Sequence, residues 1–463
     1  MKKLLVMLLA CAMIFVFIAA CADDPAPEPD PEPTPATEQT PEPETEDPPP
    51  ESETTEEPPD DVGEIVLHYP TFEVGANATA PLLAEVVSRF NERHAGSIRI
   101  EVEEIPGDTA FADNLRVRLA ANDMPDIITN KGGQNIFDVL VEAGVLADLT
   151  PWFDADPAWR AEIDDHAFEV NSRNGRLFAV PDERSIIGYW FNSELFEEAG
   201  VTPATTWEEF WDKCATLLEA GIVPLSMDTD DTAWLTNLWT GPILATKGPA
   251  GYQFMTDTFL PDNYSFPDFI STMEDIQRLF LNYTTADAAG GRFENGANNF
   301  MNGTTAMLAN GPWMIADFNA HNDVVPGFAD LIEFAVFPGG AVHDSPQFGY
   351  SVRADADAAV MDAAREFIRF KSSVEVAEYA LVNFGRIPTN ASVVITDEMK
   401  AANRHLGDLV ERSATATVRI NVFQGQWFPN VLDAISTNYP LLATGAMSPE
   451  DMADLLTETA QLN

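Results

Sequence analysis

Cysteine is almost missing from this chain: 463 residues carry three, Cys11, Cys21 and Cys214. The first lies inside an apolar leader and the second closes it, so Cys214 is the one unmodified thiol expected beyond, and a disulfide scaffold within one chain is excluded. Cys214 falls on a helical pattern beside Trp211 and Leu217, where a buried core thiol is the plain reading and a catalytic one the sharper alternative. Basic residues are scarce too. There are 25 Lys and Arg against 75 Asp and Glu, a formal net charge of -50. Phosphate backbones are held by clustered cations, so this balance argues against a nucleic-acid partner. The six histidines show neither i, i+4 pairing nor metal-site spacing. No G-x-x-x-x-G-K-[ST] loop occurs, so any ATP hydrolysis belongs to another chain. Neither a metal nor a cofactor is expected.

What is present begins with residues 1–21. Lys2 and Lys3 precede an apolar stretch that ends Ile18-Ala19-Ala20-Cys21. This is the pattern of a lipoprotein signal, with Cys21 as the lipidated residue, and a membrane-spanning helix is the alternative. Residues 22–62 follow, composed up to position 61 of Pro, Glu, Asp, Thr, Ala, Ser and Gln alone. Such a stretch cannot bury enough apolar area to offset its conformational entropy, and it reads as an acidic tether.

The remaining length, in a chain that is 45% hydrophobic, suits two compact lobes. Strand, helix, strand, helix, strand is the order read from residue 64 to residue 129, with Leu82, Leu83, Val86, Val87 and Phe90 on one helix face. A parallel sheet of this kind binds ligands beyond the carboxyl ends of its strands. The loops at 70–75 and 130–135 leave those ends, which makes Tyr69, Glu73, Asn130 and Gln134 candidate ligand contacts. Trp152 reads as core.

Residues 175–213 organise the rest. Residues 186–191 are apolar on both faces, as in a strand buried inside a covered sheet. Asn192 or Ser193 caps the helix that follows, Gly200 ends it, and Thr206 with Glu209 makes a capping box. Further on, Asp228, Asp230 and Asp231 crowd one loop, but an EF-hand count from Asp228 finds Ala233 at its sixth position and Trp239 at its twelfth. In 293–318, a strand at 305–309 runs into Asn310 and Gly311, and Pro312 starts a helix. Trp313 then stands at the corner, facing either a cleft or the core.

Several segments resemble the extracellular solute-binding proteins of ABC importers, the type that binds sugars. They are Gly175, Phe178, Pro181, Phe191, Asn192, Leu195, Phe196, Gly200, Pro203, Thr206, Trp207 and Glu209; Phe300, Gly303, Ala306, Met307, Gly311 and Trp313; and Gly385 with Pro388. The resemblance implies an α/β, two-lobed, periplasmic-binding-protein-like fold of type II, with a ligand cleft between lobes and several hinge crossings. Residues 63–184 and 352–389 would form one lobe, and 185–351 and 390–463 the other. It implies a carbohydrate ligand, a membrane permease with a separate ATPase as partner, and no enzymatic activity. Asp231 and Trp234 would grip the sugar, with an N-cap role the alternative for Asp231. Trp313 and Trp427 would stack on it, and Arg184 and Tyr350 would contribute from the crossings. Aromatic faces suit sugars because sugar C–H faces are apolar while their rims carry hydroxyls. Paired carboxylates and aromatics would also serve an extracellular glycosidase. A non-sugar solute, or a sensor kinase as the partner, keeps the fold and changes the role.

Overall fold

The computed structural model describes residues 63–75, 77–131, 136–256, 260–422 and 426–462. The expected leader, tether, Cys21 and Gln134 lie outside the described residues. Among the described residues no helix is long and apolar enough to cross a membrane.

The chain folds into two lobes, each around its own buried clusters. In the first lobe, Ile65–Thr71 pairs in parallel with Ile98–Glu104, and Ile127–Thr129 pairs antiparallel with Tyr350–Val352. The backbone N–H of His68 reaches Asp126 at 2.9 Å, tying the first strand to the entry of the third. The Ala80–Arg93 helix buries Leu82, Leu83, Val86 and Phe90, the stripe expected at 3.6-residue spacing. Trp152 stacks on Trp159 inside this lobe, with ring centroids 6.2 Å apart.

The second lobe is built on a seven-stranded sheet. Its central strand is Glu183–Asn192, which pairs with Thr305–Asn310, Ile332–Ala335, Ala341–Pro346 and Ile387–Pro388. The apolar run seen in the sequence is therefore a strand with neighbours on both edges, and from Gly188 to Asn192 every residue is buried. Its close packing demands a glycine at 188, where a Cβ would lie 2.3 Å from the Ala335 carbonyl oxygen. The helix Ser193–Ala199 starts as expected, with the Asn192 side chain accepting from Glu194 and Leu195, and it ends at Gly200 with φ +69. Thr206 caps the next helix by accepting from Glu209 N–H. The reciprocal arm of the box differs: the Glu209 carboxylate accepts from the N–H and hydroxyl of Thr205, one residue earlier. Cys214 is fully buried in the core, and burial pushes its thiol up from the usual value.

Residues 358–384 form two helices, Ala358–Lys371 and Val374–Phe384. The break falls at two adjacent serines, where Ser373 caps the second helix by accepting from Val376 N–H at 3.4 Å; serine side chains compete with the helical backbone in this way. Before the first crossing, Arg176–Leu177 pairs with Ser172–Arg173. Asn174 and Gly175 turn between them with φ 52 and 75, as a two-residue hairpin of this twist requires.

The three crossings between the lobes, near residues 180–184, 347–350 and 386–389 in that order, run side by side as a belt. Val180 and Tyr350 exchange backbone hydrogen bonds at 2.9 and 3.0 Å, Gln347 N–H donates to Glu183 O at 3.1 Å, and Thr389 N–H donates to Asp182 O at 3.2 Å. Backbones approach most closely at Gly349, where a Cβ would lie 1.8 Å from the Val180 carbonyl oxygen. Neither backbone can yield without breaking the belt. Gly349→Ala is therefore expected to lower stability by about 3 kcal/mol or more, measured by urea unfolding; a change within 0.5 kcal/mol would show that the belt is plastic.

Candidate functional site

The site is built where strands of both lobes end. In the second lobe, Thr305–Asn310 stops at Gly311, and the Met314–Val324 helix begins three residues on. Gly311 lacks a side chain for a steric reason: a Cβ there would meet the Trp313 ring at 2.4 Å. The indole thus lies back over the turn, half-buried. Trp234, at the start of the Trp234–Lys247 helix, faces it with ring centroids 6.0 Å apart and a 47° tilt. Its Nε1 points to Asn310 Oδ1 at 3.4 Å. Asp231, in the same loop, adopts φ 59 and accepts a hydrogen bond from the Thr109 hydroxyl of the first lobe. Asp231, Trp234 and Trp313 therefore share one end of the second lobe.

The loop's first carboxylate has another task. Asp228 is 1% exposed, and its Oδ1 accepts from Thr236 N–H at 3.2 Å. Ala233, at the N-cap position of the Trp234–Lys247 helix, offers no side-chain acceptor, so Asp228 supplies the cap from outside the helix. Oδ2 has no protein partner. Burial, with Asp231 and Glu294 adding to it, pushes this carboxyl from 3.8 up to about 7.

On the first-lobe side, Glu73 and Lys131 leave the strand ends, both buried. Lys131 Nζ lies 2.9 Å from Asp182 and 3.2 Å from Glu183. Lys371 adds a contact to Asp182 at 3.1 Å, and Arg386 one to Glu183 at 3.3 Å. Burial works against the ionised form of Asp182, yet Lys131 and Lys371 hold its carboxyl below the usual carboxylate range. Burial alone would depress the Lys131 ammonium, and Asp182 and Glu183 outweigh it. Arg386 also lies against Trp313, its guanidinium carbon 5.8 Å from the ring centroid.

Five of the expected contacts are engaged elsewhere. Tyr69 is fully buried in the first-lobe core, 6.1 Å from the rings of Tyr350 and Phe367; it shares the inward face of its strand with Leu67. Tyr350, 1% exposed, lies under the ammonium groups of Lys131 and Lys371 at 5.3 and 4.9 Å. Asn130 is a strut between strand and crossing, its Nδ2 donating to Gly349 O at 2.9 Å and Ser351 Oγ at 2.8 Å. Trp427 is 1% exposed within an aromatic cluster of Phe254, Tyr264 and Phe269, because this indole fills the core of the second lobe. Arg184 is engaged by Asp344, which also holds Arg419. Sequence reading passed over Lys131, Asp182, Glu183 and Arg386. The available signal was a run of charge after Pro181 in an otherwise apolar crossing, and a lysine in a loop of a chain poor in lysine.

A model of the bacterial extracellular solute-binding protein family matches residues 73–378 of this 463-residue chain. The chain belongs to this family. Among curated relatives of this solute-binding protein is a probable sugar-binding periplasmic protein of Mesorhizobium japonicum, 22% identical over 328 residues, covering 70% of this chain and 76% of that one. Another is the xylose/arabinose-binding protein XacG of Haloferax volcanii, 26% identical over 237 residues, 48% of this chain and 47% of that one, so the match spans about half of the second relative. Among solved structures, a chitin oligosaccharide binding protein superposes with a TM-score of 0.75 at 19% identity, over 86% of this chain and 98% of that one. A Streptococcus pneumoniae solute-binding protein in complex with the blood group A-trisaccharide gives 0.71 at 18%, over 86% and 100%. At such identities these structures share the two-lobed fold.

Asp228 gives this solute-binding protein a pH dependence. An acid whose pKa is higher in the fold than in the unfolded chain binds its proton more tightly when folded. Its contribution is complete below the unfolded value near 3.8 and is lost as pH rises from there to about 7. Asp228→Asn keeps an acceptor for Thr236 and carries no charge. The melting temperature of the variant relative to the wild type is expected to rise between pH 4 and pH 8, read by calorimetry; parallel pH profiles for the two chains would refute the assignment.

Proposed function

We propose that this chain is the capture component of an ABC importer. It takes up a sugar or oligosaccharide outside the cell and delivers it to a membrane permease energised by a separate ATPase. The observation that carries the reading is the Trp234 and Trp313 pair, set at the ends of the second-lobe strands and flanked by Asn310, Asp231 and Arg386. Two tilted indoles can cover the apolar faces of a sugar while amide, carboxylate and guanidinium groups meet its hydroxyls. The relatives named for sugars support the ligand class. Glu73 is the proposed contact from the first lobe. Tyr69, Asn130 and Tyr350 serve beneath it as supports. In this proposal residues 63–184 and 352–389 form the first lobe and 185–351 and 390–463 the second. The packing supports this division with small exchanges: Phe348 and Tyr350 lie in first-lobe clusters, Leu381 and Ile387 in a second-lobe cluster. Binding involves no chemical conversion of the ligand.

A panel of xylose, arabinose, melibiose, raffinose, maltotriose and chitooligosaccharides, screened by thermal shift, tests the ligand class. A binder present at about a hundred times its dissociation constant adds roughly 2.7 kcal/mol. Trp313→Ala is expected to weaken binding more than tenfold, about 1.4 kcal/mol, in calorimetric titration with the panel's binder. Trp427→Ala is expected to cost stability, roughly 3 kcal/mol or more for a buried indole, with affinity retained. A stabilising shift with no sugar, or hydrolysis products from the oligosaccharides, would overturn the reading.

The proposal also anchors the chain by lipid at Cys21, with 22–62 as the tether. Its support is the Ile-Ala-Ala-Cys ending and the composition behind it. Cys21→Ala is expected to move the protein from the membrane pellet to the soluble fraction; retention in the pellet would favour an uncleaved helix.

A further inference from the structure

Arg386 is 7% exposed in a chain with 25 basic and 75 acidic residues. A guanidinium is seldom buried unless it is paired, and a chain with so many surface carboxylates has ample pairing available outside. Its backbone is fixed from two directions. Gly385, with φ +67, ends the Val374–Phe384 helix. It packs so closely on the turn carrying Trp313 that a Cβ would lie 2.5 Å from Ile315 Cδ1 and 3.2 Å from Pro312 O. Immediately after, Ile387 and Pro388 pair with Arg184 and Glu183. The residue thus stands between the belt and the aromatic corner.

Its side chain spans the same two features. Nη1 lies 3.3 Å from Glu183 Oε1, and the guanidinium carbon is 5.8 Å from the Trp313 ring centroid. Glu183 is in turn 3.2 Å from Lys131, Lys131 2.9 Å from Asp182, and Asp182 3.1 Å from Lys371. An unbroken series of charged contacts therefore runs from a first-lobe helix, through the first crossing, to an indole on the second lobe. Asp317, one turn along the helix that follows Trp313, is the further carboxylate near Arg386. Its carboxyl is pushed up to about 6 by burial, and Arg386 opposes the rise. Glu183 therefore holds the closer, hydrogen-bonded claim on the guanidinium.

We propose that Arg386 is a positioning residue that couples the orientation of Trp313 to the buried ion pairs of the first crossing, so that moving the hinge and presenting the indole are one event. The inference rests on the reading of Trp313 as the ligand platform. A guanidinium held by a carboxylate has a defined plane, and a cation beside an aromatic ring constrains where that ring rests. Rearrangement of Glu183 as the crossings bend would reach the indole through this one side chain. A purely structural Arg386 would neutralise Glu183 and leave the indole indifferent to it.

The test uses the full chain labelled with 5-fluorotryptophan, in which Trp313→Phe identifies the Trp313 resonance among the nine tryptophans. Glu183→Gln is expected to shift that fluorine line in the wild-type background. The same change is expected to have no effect on it in an Arg386→Met background, and Arg386→Lys is expected to restore part of the response. Arg386→Met alone leaves the buried Glu183 carboxylate with Lys131 as its remaining cationic partner and can fail to fold. In that event Arg386→Lys and the double variant Glu183→Gln/Arg386→Met, which removes both charges, keep the measurement readable against wild type. An unmoved Trp313 line in Glu183→Gln, or a shift of equal size with and without Arg386, overturns the coupling. The cycle is read without sugar, so a panel in which no sugar binds would overturn the carbohydrate reading and leave this result standing.

Discussion

Asp182 and Glu183 are adjacent carboxylates at the place where three crossings meet, and the surrounding structure is arranged to hold their charge. Removing an ion from water costs several kcal/mol even after relaxation, and only close, hydrogen-bonded partners offset it. Here the partners are drawn from separate segments: Lys131 from the end of a first-lobe strand, Lys371 from a first-lobe helix and Arg386 from the third crossing. Three of the chain's 25 basic residues are buried at this spot. The network need not stabilise the fold more than an apolar filling would. What it does specify is relative placement, because a displaced segment would leave a charge alone in a dry site.

The belt's backbone hydrogen bonds and this network have different reach. Backbone pairing of Val180 with Tyr350 and of Thr389 with Asp182 fixes the crossings to one another. The charged side chains extend from the belt toward each lobe, to Lys371 on one side and to Trp313 on the other. In the proposed reading the same residues serve as hinge and as floor of the candidate site. That arrangement explains why Asn130 and Tyr350, which lie at strand ends as ligand contacts would, are consumed by support.

Features written in local chemistry were legible in the sequence. The Asn192 cap, the Gly200 stop and the Gly311 to Trp313 corner depend on residues within a few positions of one another. Trp427 was misplaced because an aromatic beside a helix start carries no record of Phe254, Tyr264 and Phe269, which close around it only in three dimensions. Tyr69 was misplaced through strand parity: standing near a strand's end says less than sharing a face with Leu67. Lys131 and Arg386 were missed for an electrostatic reason. A lone basic residue in an acidic chain reads as a solvated charge, and its burial depends on carboxylates brought from another segment by the fold.

Closure of two such lobes needs a source of free energy, and among the described residues the rim does not supply it. The Thr109 and Asp231 contact joins the lobes at an exposed position, where interactions of this kind contribute about 0 to 1 kcal/mol. The buried ion pairs lie in the belt and among its neighbours, so they limit how the lobes move more than whether they meet. A ligand can shift the equilibrium only by binding one arrangement better than the other. In the proposed reading that difference arises because Trp234 and Trp313 belong to one lobe and Glu73 to the other, so a molecule touching both sets does so only when the lobes are together. A weak rim is then a condition of function: a strong one would hold the lobes shut in the absence of ligand, and binding would have little left to change.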